Sequence, residues 1–253
     1  MGRSRSAACA RDQNPLTPIQ LSAERLRRKY LHTMSSDEAQ ILDRATHTIV
    51  QQVEAMKEMV NAFSDYARAP DIDISPFSIE KLAHEVVDLY RVQESGIEVQ
   101  VHTASDLPTV AADVGRIRQI LHNLIRNSIE ALETTGARLH GVGNTGHIDV
   151  SVSATKLAGI DVVEIEVADN GPGFQAGSIS QIFDPYVTTK PRGTGLGLAI
   201  VKKLVEEHAG TIEAENREQG GAVIRIRLPV NEAAREAMSA MLPRRTERRR
   251  ERA

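Results

Sequence analysis

The chain has 253 residues, with 31 basic and 34 acidic side chains and a formal charge of −3, a length that fits one large domain or two small ones. Hydrophobic residues at 41% and charged residues at 26% exclude a collagen, a long disordered chain and a disulfide scaffold. The single cysteine, Cys9, excludes an internal disulfide and a Cys-rich metal site. Aromatics at 3% with no Trp argue against stacking platforms for single-stranded nucleic acid, and no nucleic-acid partner is expected. No apolar run approaches the roughly 20 residues that span a bilayer, and no apolar h-region follows Met1, which argues against a secretory signal.

Both ends are basic. Residues 1–29 carry Arg3, Arg5, Arg11, Arg25, Arg27, Arg28 and Lys29 against Asp12 and Glu24, and Pro243–Ala253 holds six arginines. Without aromatic interleaving, the latter reads as a solvated tail, set at 231–253. Leu16, Ile19, Leu26 and Tyr30 form an apolar stripe that predicts a helix over 16–32, with Pro15 and Pro18 suited to a first turn or a kink. Ser35, Ser36 and Asp37 break that pattern and can cap the next helix. From Glu38 to Arg68, Ile41, Leu42, Ala45, Ile49, Val53, Met56, Val60 and Phe63 step by mostly three or four residues. Such a helix would be roughly 45 Å long. Two helices joined by a short polar turn make a hairpin whose apolar stripe needs cover. The expectation is a dimer forming a four-helix bundle, the alternative being packing on the rest of the chain.

Ala69-Pro70-Asp71 ends the hairpin. Beyond it, helices are predicted at Ile79–Arg91, Val114–Glu133 and Leu198–His208. Strands are predicted at Ile97–His102, Ile148–Thr155, Val162–Ala168, Thr211–Ala214 and Ala222–Leu228, with a glycine-rich loop at Thr134–Gly146. Strands mixed with helices over this length predict an α/β sandwich, one mixed sheet with helices on one face. The fold class is therefore α+β overall, a helical hairpin followed by this sandwich.

Four segments of the second region carry chemistry. Asn123 and Asn127 lie four apart on one helix face. Their carboxamide oxygens suit Mg²⁺, although two Asn at that spacing also cap helices or face solvent. Asp169-Asn-Gly-Pro-Gly173-Phe174 follows a strand. Its carboxylate can accept a hydrogen bond from an exocyclic amine such as adenine N6, and its glycines allow backbone to approach a flat ligand; the same residues also make a plain turn. Gly193-Thr194-Gly195-Leu196-Gly197-Leu198 opens a helix and can face backbone N–H groups toward phosphate. It is neither a P-loop nor a Rossmann turn, because no Gly-Lys-Ser/Thr follows and no strand leads directly into it. The roughly 20 residues between Gly173 and Gly193, with Phe183-Asp184-Pro185-Tyr186 and Lys190, suit a mobile lid. Gly220-Gly221 reads as a tight turn into the last strand.

In this order and spacing, Ser75 to Val230 resembles the catalytic ATP-binding domain of sensor histidine kinases, in the GHKL (Bergerat) superfamily shared with gyrase, Hsp90 and MutL. The matches are an N box at His122–Asn127, a G1 box at Asp169–Gly173, an F box at Phe183–Tyr186 and a G2 box at Gly193–Gly197. The resemblance implies ATP and Mg²⁺ as cofactors. Asn127, helped by Asn123, would hold Mg²⁺; Asp169 would read adenine; Gly171 and Gly173 would shape the base pocket. Lys190, Thr194, Gly195 and Gly197 would contact phosphates, with Leu196 inside the same run and Tyr186 in the lid. His122 either faces phosphate or lies on the surface. Asn14-Pro15-Leu16-Thr17-Pro18 and the residues after it closely resemble the dimerisation and phosphotransfer helix of nitrogen-regulation sensor kinases. This implies a homodimer through a 14–70 hairpin, an ATP-binding domain over 74–230 and a response-regulator receiver domain as partner. Family members usually carry an upstream membrane segment, so a cytoplasmic, truncated piece is expected.

One departure bears on mechanism. Before Asn-Pro-Leu-Thr-Pro the family reads roughly Ala-His-Glu-Ile/Val-Lys, the histidine being the phosphoacceptor and the acid its helper. Here Cys9-Ala10-Arg11-Asp12-Gln13 stands instead. Ala10 has no nucleophilic atom, and Arg11 puts a cation where the acid belongs. His32 and His47 do not restore the motif. The codons TGC-GCA-CGA-GAT-CAA encode this run, and one base later the same string reads Ala-His-Glu-Ile. Residues 1–13 are thus expected to be atypical, either disordered or an out-of-frame translation. The expected function is a histidine kinase core that binds Mg·ATP without phosphorylating itself. The alternative is a non-catalytic ATP-binding or dimerising regulator of a kinase or response regulator.

Overall fold

The computed structural model describes residues 16–67, 72–91, 96–135, 145–175, 177–190 and 193–241. It contains two compact units, Met1–Ser64 and Asp65–Ala253. Cys9, Ala10 and Arg11, the Ala69–Asp71 linker, most of the glycine-rich loop and the arginines after Met241 lie outside the described residues.

In the first unit, helix α1 (Leu16–Tyr30) is followed by α2 (Ser36–Ala67). The Glu38 side chain reaches back to fix where α2 begins: the Ser35 N–H and hydroxyl both donate to Glu38 Oε2, at 3.3 and 2.6 Å. These bonds hold the Glu38 carboxyl below its ordinary pKa. Arg27 Nε donates to Asp43 Oδ1 at 2.7 Å and ties the helices across the turn. Ala23, Thr46 and Val53 are buried, whereas Ile19, Leu26, Ile49, Met56, Val60 and, at 70% exposure, Ile41 are not. Much of the apolar stripe expected of this hairpin is therefore left uncovered among the described residues.

In the second unit, β1 (Ser75–Phe77), α3 (Ile79–Asp88), β2 (Glu98–Thr103), β3 (Val110–Ala112), α4 (Val114–Thr135), β4 (His147–Leu157), β5 (Ile160–Asp169), α5 (Gly197–Glu207), β6 (Thr211–Asn216), β7 (Ala222–Pro229) and α6 (Glu232–Met241) follow in order. Five strands form one sheet in the order β2-β4-β5-β7-β6. β2 runs parallel to β4 and the other pairs are antiparallel. Alternation in the strands explains the two faces. Ile148, Val150, Val163, Ile165, Ile226 and Leu228 are buried, against α3, α4 and α5, whose residues Leu82, Val86, Ile117, Ile120, Leu121, Leu124, Val201 and Val205 are also buried. The intervening residues carry charge. Arg227 bridges Glu164 and Glu213 at 2.6 and 2.8 Å, and Arg225 bridges Glu166 and Glu215 at 2.6 and 2.5 Å. The result is the expected α/β sandwich.

Three elements were not expected. β1 and β3 pair as a separate two-stranded sheet, Ser75 opposite Ala112, each too short at three residues to show a period. The basic tail expected from 231 begins instead with α6. Asn231 Oδ1 accepts the Ala234 N–H at 2.9 Å as its cap, and fully buried Met238 packs with Val162, Ala209, Leu157 and Ile160. Ala234 is buried beside it and Arg235 donates to the Ala111 carbonyl at 2.5 Å; burying a methionine side chain alone contributes about 1.5–3 kcal/mol.

Candidate nucleotide site

The Val167-Ala168-Asp169 end of β5 carries its carboxylate toward the helical layer, since Asp169 stands opposite Ile148 and in phase with buried Ile165 and Val167. Asp169 is 5% exposed. Its Oδ1 accepts the backbone N–H groups of Gly171 (2.9 Å) and Ala222 (3.2 Å), and its Oδ2 accepts the Ser128 hydroxyl of α4 at 3.2 Å. A carboxylate offers about four acceptor positions, so three bonds leave one on Oδ2. Burial raises the Asp169 pKa, opposed by these hydrogen bonds and by the Arg217 guanidinium, which also donates to the Asp169 carbonyl at 3.2 Å.

The glycines around this carboxylate are required where φ is positive and backbone meets backbone. At Gly221 (φ +94°) a Cβ would lie 1.9 Å from the Asp169 carbonyl oxygen, and at Gly173 (φ +74°) 2.7 Å from Asn216 Oδ1. The Asn216 carboxamide is bonded twice to Phe174, accepting its N–H at 2.6 Å and donating to its carbonyl at 2.8 Å. The turn after Asp169 is thus tied to the end of β6. At Gly171 a Cβ would approach Asp169 Oδ1 to 3.0 Å.

Immediately before Ser128 on α4 stands Asn127, with Asn123 one turn earlier, both half-buried. Asn127 Nδ2 is buried with no hydrogen-bond partner, and a Cβ on Gly197 would lie 3.5 Å from it. The carboxamide therefore abuts the first turn of α5. Such an orphaned donor is costly unless an acceptor completes it, and the oxygen of the same carboxamide is the atom suited to a cation.

The segment between Phe174 and α5 returns to the same place. Tyr186, at φ +67° and 63% exposed, donates its N–H to the Gly195 carbonyl at 3.0 Å. Any side chain on Gly195 (φ +66°) would strike the Tyr186 backbone, with a Cβ 2.6 Å from its carbonyl carbon. Lys190 Nζ reaches α4, bonding Glu130 Oε2 at 2.7 Å and the Asn127 carbonyl at 3.3 Å. Thr194 Oγ1 accepts the Leu196 N–H at 3.3 Å. Leu196 itself is 1% exposed, so its side chain belongs to the core.

The fold thus brings Asp169, Gly171 and Gly173 together, and separately joins Asn127 to Lys190 and Gly197. His122 lies on α4. It is half-buried, its Nδ1 lies 2.9 Å from Tyr90 Oη, and burial and then Arg118 lower its pKa. Ser128, Glu130, Asn216 and Arg217 were not anticipated. Each acts through a partner 41 to 60 positions away, and no local spacing marks such a pair.

A buried, hydrogen-bonded carboxylate at a strand end, flanked by obligatory glycines and facing an Asn-bearing helix, defines a nucleotide-binding α/β sandwich. Residues 112–232 match the family described as histidine kinase-, DNA gyrase B- and HSP90-like ATPases. The chain is 39% identical over 217 residues to the nitrogen regulation protein NtrY of Azorhizobium caulinodans, covering 85% of this chain and 27% of that protein. The catalytic domain of histidine kinase ThkA superposes with a TM-score of 0.52 at 32% identity, covering 62% of this chain and 96% of that one. ThkA in complex with the response regulator protein TrrA gives 0.61 at 26% identity, covering 86% and 58%. Full-length ShkA in complex with AMPPNP gives 0.63 at 26%, covering 87% and 44%. The chain belongs to the sensor histidine kinase family, as a C-terminal kinase core of the NtrY type, and carries that family's ATP-binding domain. It spans about a quarter of the length of NtrY. Among the described residues no helix is long and apolar enough to cross a membrane.

Proposed function

We propose that this chain binds Mg·ATP in its second unit, dimerises through its hairpin, and serves two-component signalling without phosphorylating itself. The observation that carries the nucleotide reading is Asp169, buried, held at three points and left with one acceptor position for an exocyclic amine. Gly171 and Gly173 would admit the flat base beside it. Thr194, Gly195 and the Gly197 end of α5 would meet phosphate through backbone N–H groups and the helix dipole. The donor set fits Mg²⁺ through its carboxamide oxygens: Asn127, whose Nδ2 has no hydrogen-bond partner and so leaves the side chain untied, with Asn123 one turn before it. Among the described residues there is no group of three His, Cys, Asp or Glu side chains that could hold a metal, so Asn oxygens and phosphate would be its ligands. When bound, the ion neutralises charge on the transferring phosphoryl group.

In the family reaction a histidine attacks the γ-phosphate and later passes the group to an aspartate of a response regulator. Ala10 and Arg11 stand at the acceptor and acid positions, so phosphate acceptance by this chain is not expected. The uncovered face of Ile19, Leu26, Ile41 and Ile49 supports a homodimer closing a four-helix bundle. The ThkA–TrrA complex supports a receiver domain as partner, and the use of ATP suits the cytoplasmic side. The same two residues favour a second reading, a non-catalytic regulator that pairs with an intact kinase subunit.

The deciding experiment incubates the purified chain with γ-labelled ATP, alone, as the Ala10→His/Arg11→Glu variant, and mixed with an intact NtrY-type subunit. The wild-type chain is expected to bind ATP and stay unlabelled, and the variant to gain acid-labile label. Label on a histidine of the wild-type chain overturns the first expectation; failure to bind ATP overturns the nucleotide reading. Label on the intact subunit that depends on the wild-type chain's ATP domain selects the regulator.

A further inference from the structure

The segment after Tyr186 presents one cation to one anion of the N-box helix. Asn123, Asn127 and Glu130 fall at positions 0, +4 and +7 of α4 and share a face. Glu130 Oε2 holds Lys190 Nζ at 2.7 Å, and its Oε1 lies 3.5 Å from Arg126 Nε. Lys190 is delivered to that spot by its backbone. Its N–H donates to Thr188 Oγ1 at 3.1 Å, and its carbonyl accepts the Gly193 N–H at 3.2 Å. A Cβ on Gly193 would lie 2.5 Å from Thr188 Oγ1, so the turn is closed tightly behind the lysine. At the base the Tyr186 N–H is bonded to the Gly195 carbonyl. The Lys190 ammonium also touches the Asn127 carbonyl at 3.3 Å. It therefore rests within reach of the residue proposed to hold Mg²⁺, with its charge already matched by a carboxylate.

We propose that Glu130 is the positioning residue of Lys190. It holds the lysine on α4 in the nucleotide-free chain, as a stand-in anion that the nucleotide's phosphates displace. This rests on the Mg·ATP reading above. A terminal phosphate carries more charge than one carboxylate and takes the ammonium from it. The pair is partly exposed, at 29% and 41%, so it is weak enough to exchange. Glu130 thereby lowers ATP affinity slightly while keeping the Val187–Lys190 segment ordered before ATP arrives.

Two measurements test this on the whole chain. Amide exchange of Val187–Lys190 without nucleotide is expected to quicken in Glu130→Gln and in Lys190→Met alike, with no further gain in the double variant. ATP affinity is expected to rise about two- to fivefold in Glu130→Gln when Lys190 is present, and to change less than twofold when Glu130→Gln is added to Lys190→Met. Unchanged exchange in Glu130→Gln overturns the proposal. So does weaker ATP binding, which would make Glu130 a support for the lysine's phosphate contact rather than its competitor. Equal tightening with and without Lys190 also overturns it, as general charge repulsion. A wild-type chain that does not bind ATP while Glu130→Gln still quickens exchange removes the nucleotide reading and the displacement together, and leaves only a structural ion pair.

Discussion

Asp169→Asn and Asp169→Ala separate the two tasks of one carboxylate. The alanine variant strips the acceptor from the buried N–H groups of Gly171 and Ala222. At about 1–3 kcal/mol for each buried donor left unpaired, the loss is about 2–6 kcal/mol, a large part of the 5–15 kcal/mol typical of a whole domain. The asparagine variant keeps an oxygen at Oδ1 for both N–H groups and can donate its amide hydrogen to Ser128 Oγ in place of accepting from it. It also removes a carboxyl that burial already disfavours in its charged form. Its stability is expected within about 1 kcal/mol of wild type. What it cannot do is accept from an exocyclic amine at the remaining Oδ2 position, where it now presents a donor. Losing a hydrogen bond to a charged acceptor costs about 1.5–3 kcal/mol, or about 10- to 150-fold in ATP affinity. Urea denaturation without nucleotide, followed by equilibrium ATP binding, reads the two effects separately. An asparagine variant that binds ATP as the wild type does would refute the assignment of Asp169 to the base. An alanine variant of unchanged stability would refute the bonding described around it.

Gly221→Ala puts a side chain on the Asp169 carbonyl at φ +94°; the left-handed backbone alone costs about 1–2 kcal/mol, and both the urea midpoint and ATP affinity are expected to fall. Asn216→Ala removes two bonds to the Phe174 backbone; at about 0.5–1.5 kcal/mol each, amide exchange at Phe174 is expected to quicken at least tenfold with a smaller change in global stability. His208 is 1% exposed, and its neutral tautomer is set by its partners: Nε2 accepts the Asp113 N–H at 3.1 Å and Nδ1–H donates to the Leu204 carbonyl at 2.7 Å. Burial lowers its pKa below the ordinary 6.5, so its stabilising contribution is present above about pH 6.5 and is lost as pH falls through the folded value. Urea midpoints are expected to decline on acidification over that range, and a His208→Asn variant to show a shallower decline. Leu124→Ala, 1% exposed in the helical layer, is expected to cost about 2–5 kcal/mol with an unchanged denaturant slope.

Local pattern was enough for the long elements. The three- and four-residue steps from Ile41 to Val60 produced α2, and the alternation of Val162–Ala168 produced β5, because each pattern buries one face of one element. The short pair β1 and β3 has no period to read. α6 has no long apolar pattern and is held by what its side chains meet on distant elements, Met238 on Val162 and Ala209 and Arg235 on the Ala111 carbonyl. The same division runs through the site. Asp169, Gly171, Gly173 and the Gly193–Gly197 run are contiguous stretches with recognisable chemistry, and Asn123 and Asn127 share a face by spacing alone. Their supports are not local. Ser128 matters because α4 crosses β5 at Asp169, Asn216 because β6 ends beside the turn at Phe174, and Glu130 because the segment after Tyr186 folds back onto α4.

By itself, then, the sequence determined the two kinds of architecture and the family, and it marked the candidate nucleotide residues, since these depend on residue type and short spacing. Tertiary structure alone decided which polar atoms are already matched. Asp169 keeps one acceptor position after three bonds, Asn127 keeps an amide without a partner, and His122 is bonded to Tyr90 instead of standing free. Burial and partnership are properties of packed neighbours brought together from far along the chain, and hydrogen-bond satisfaction exists only once those neighbours meet.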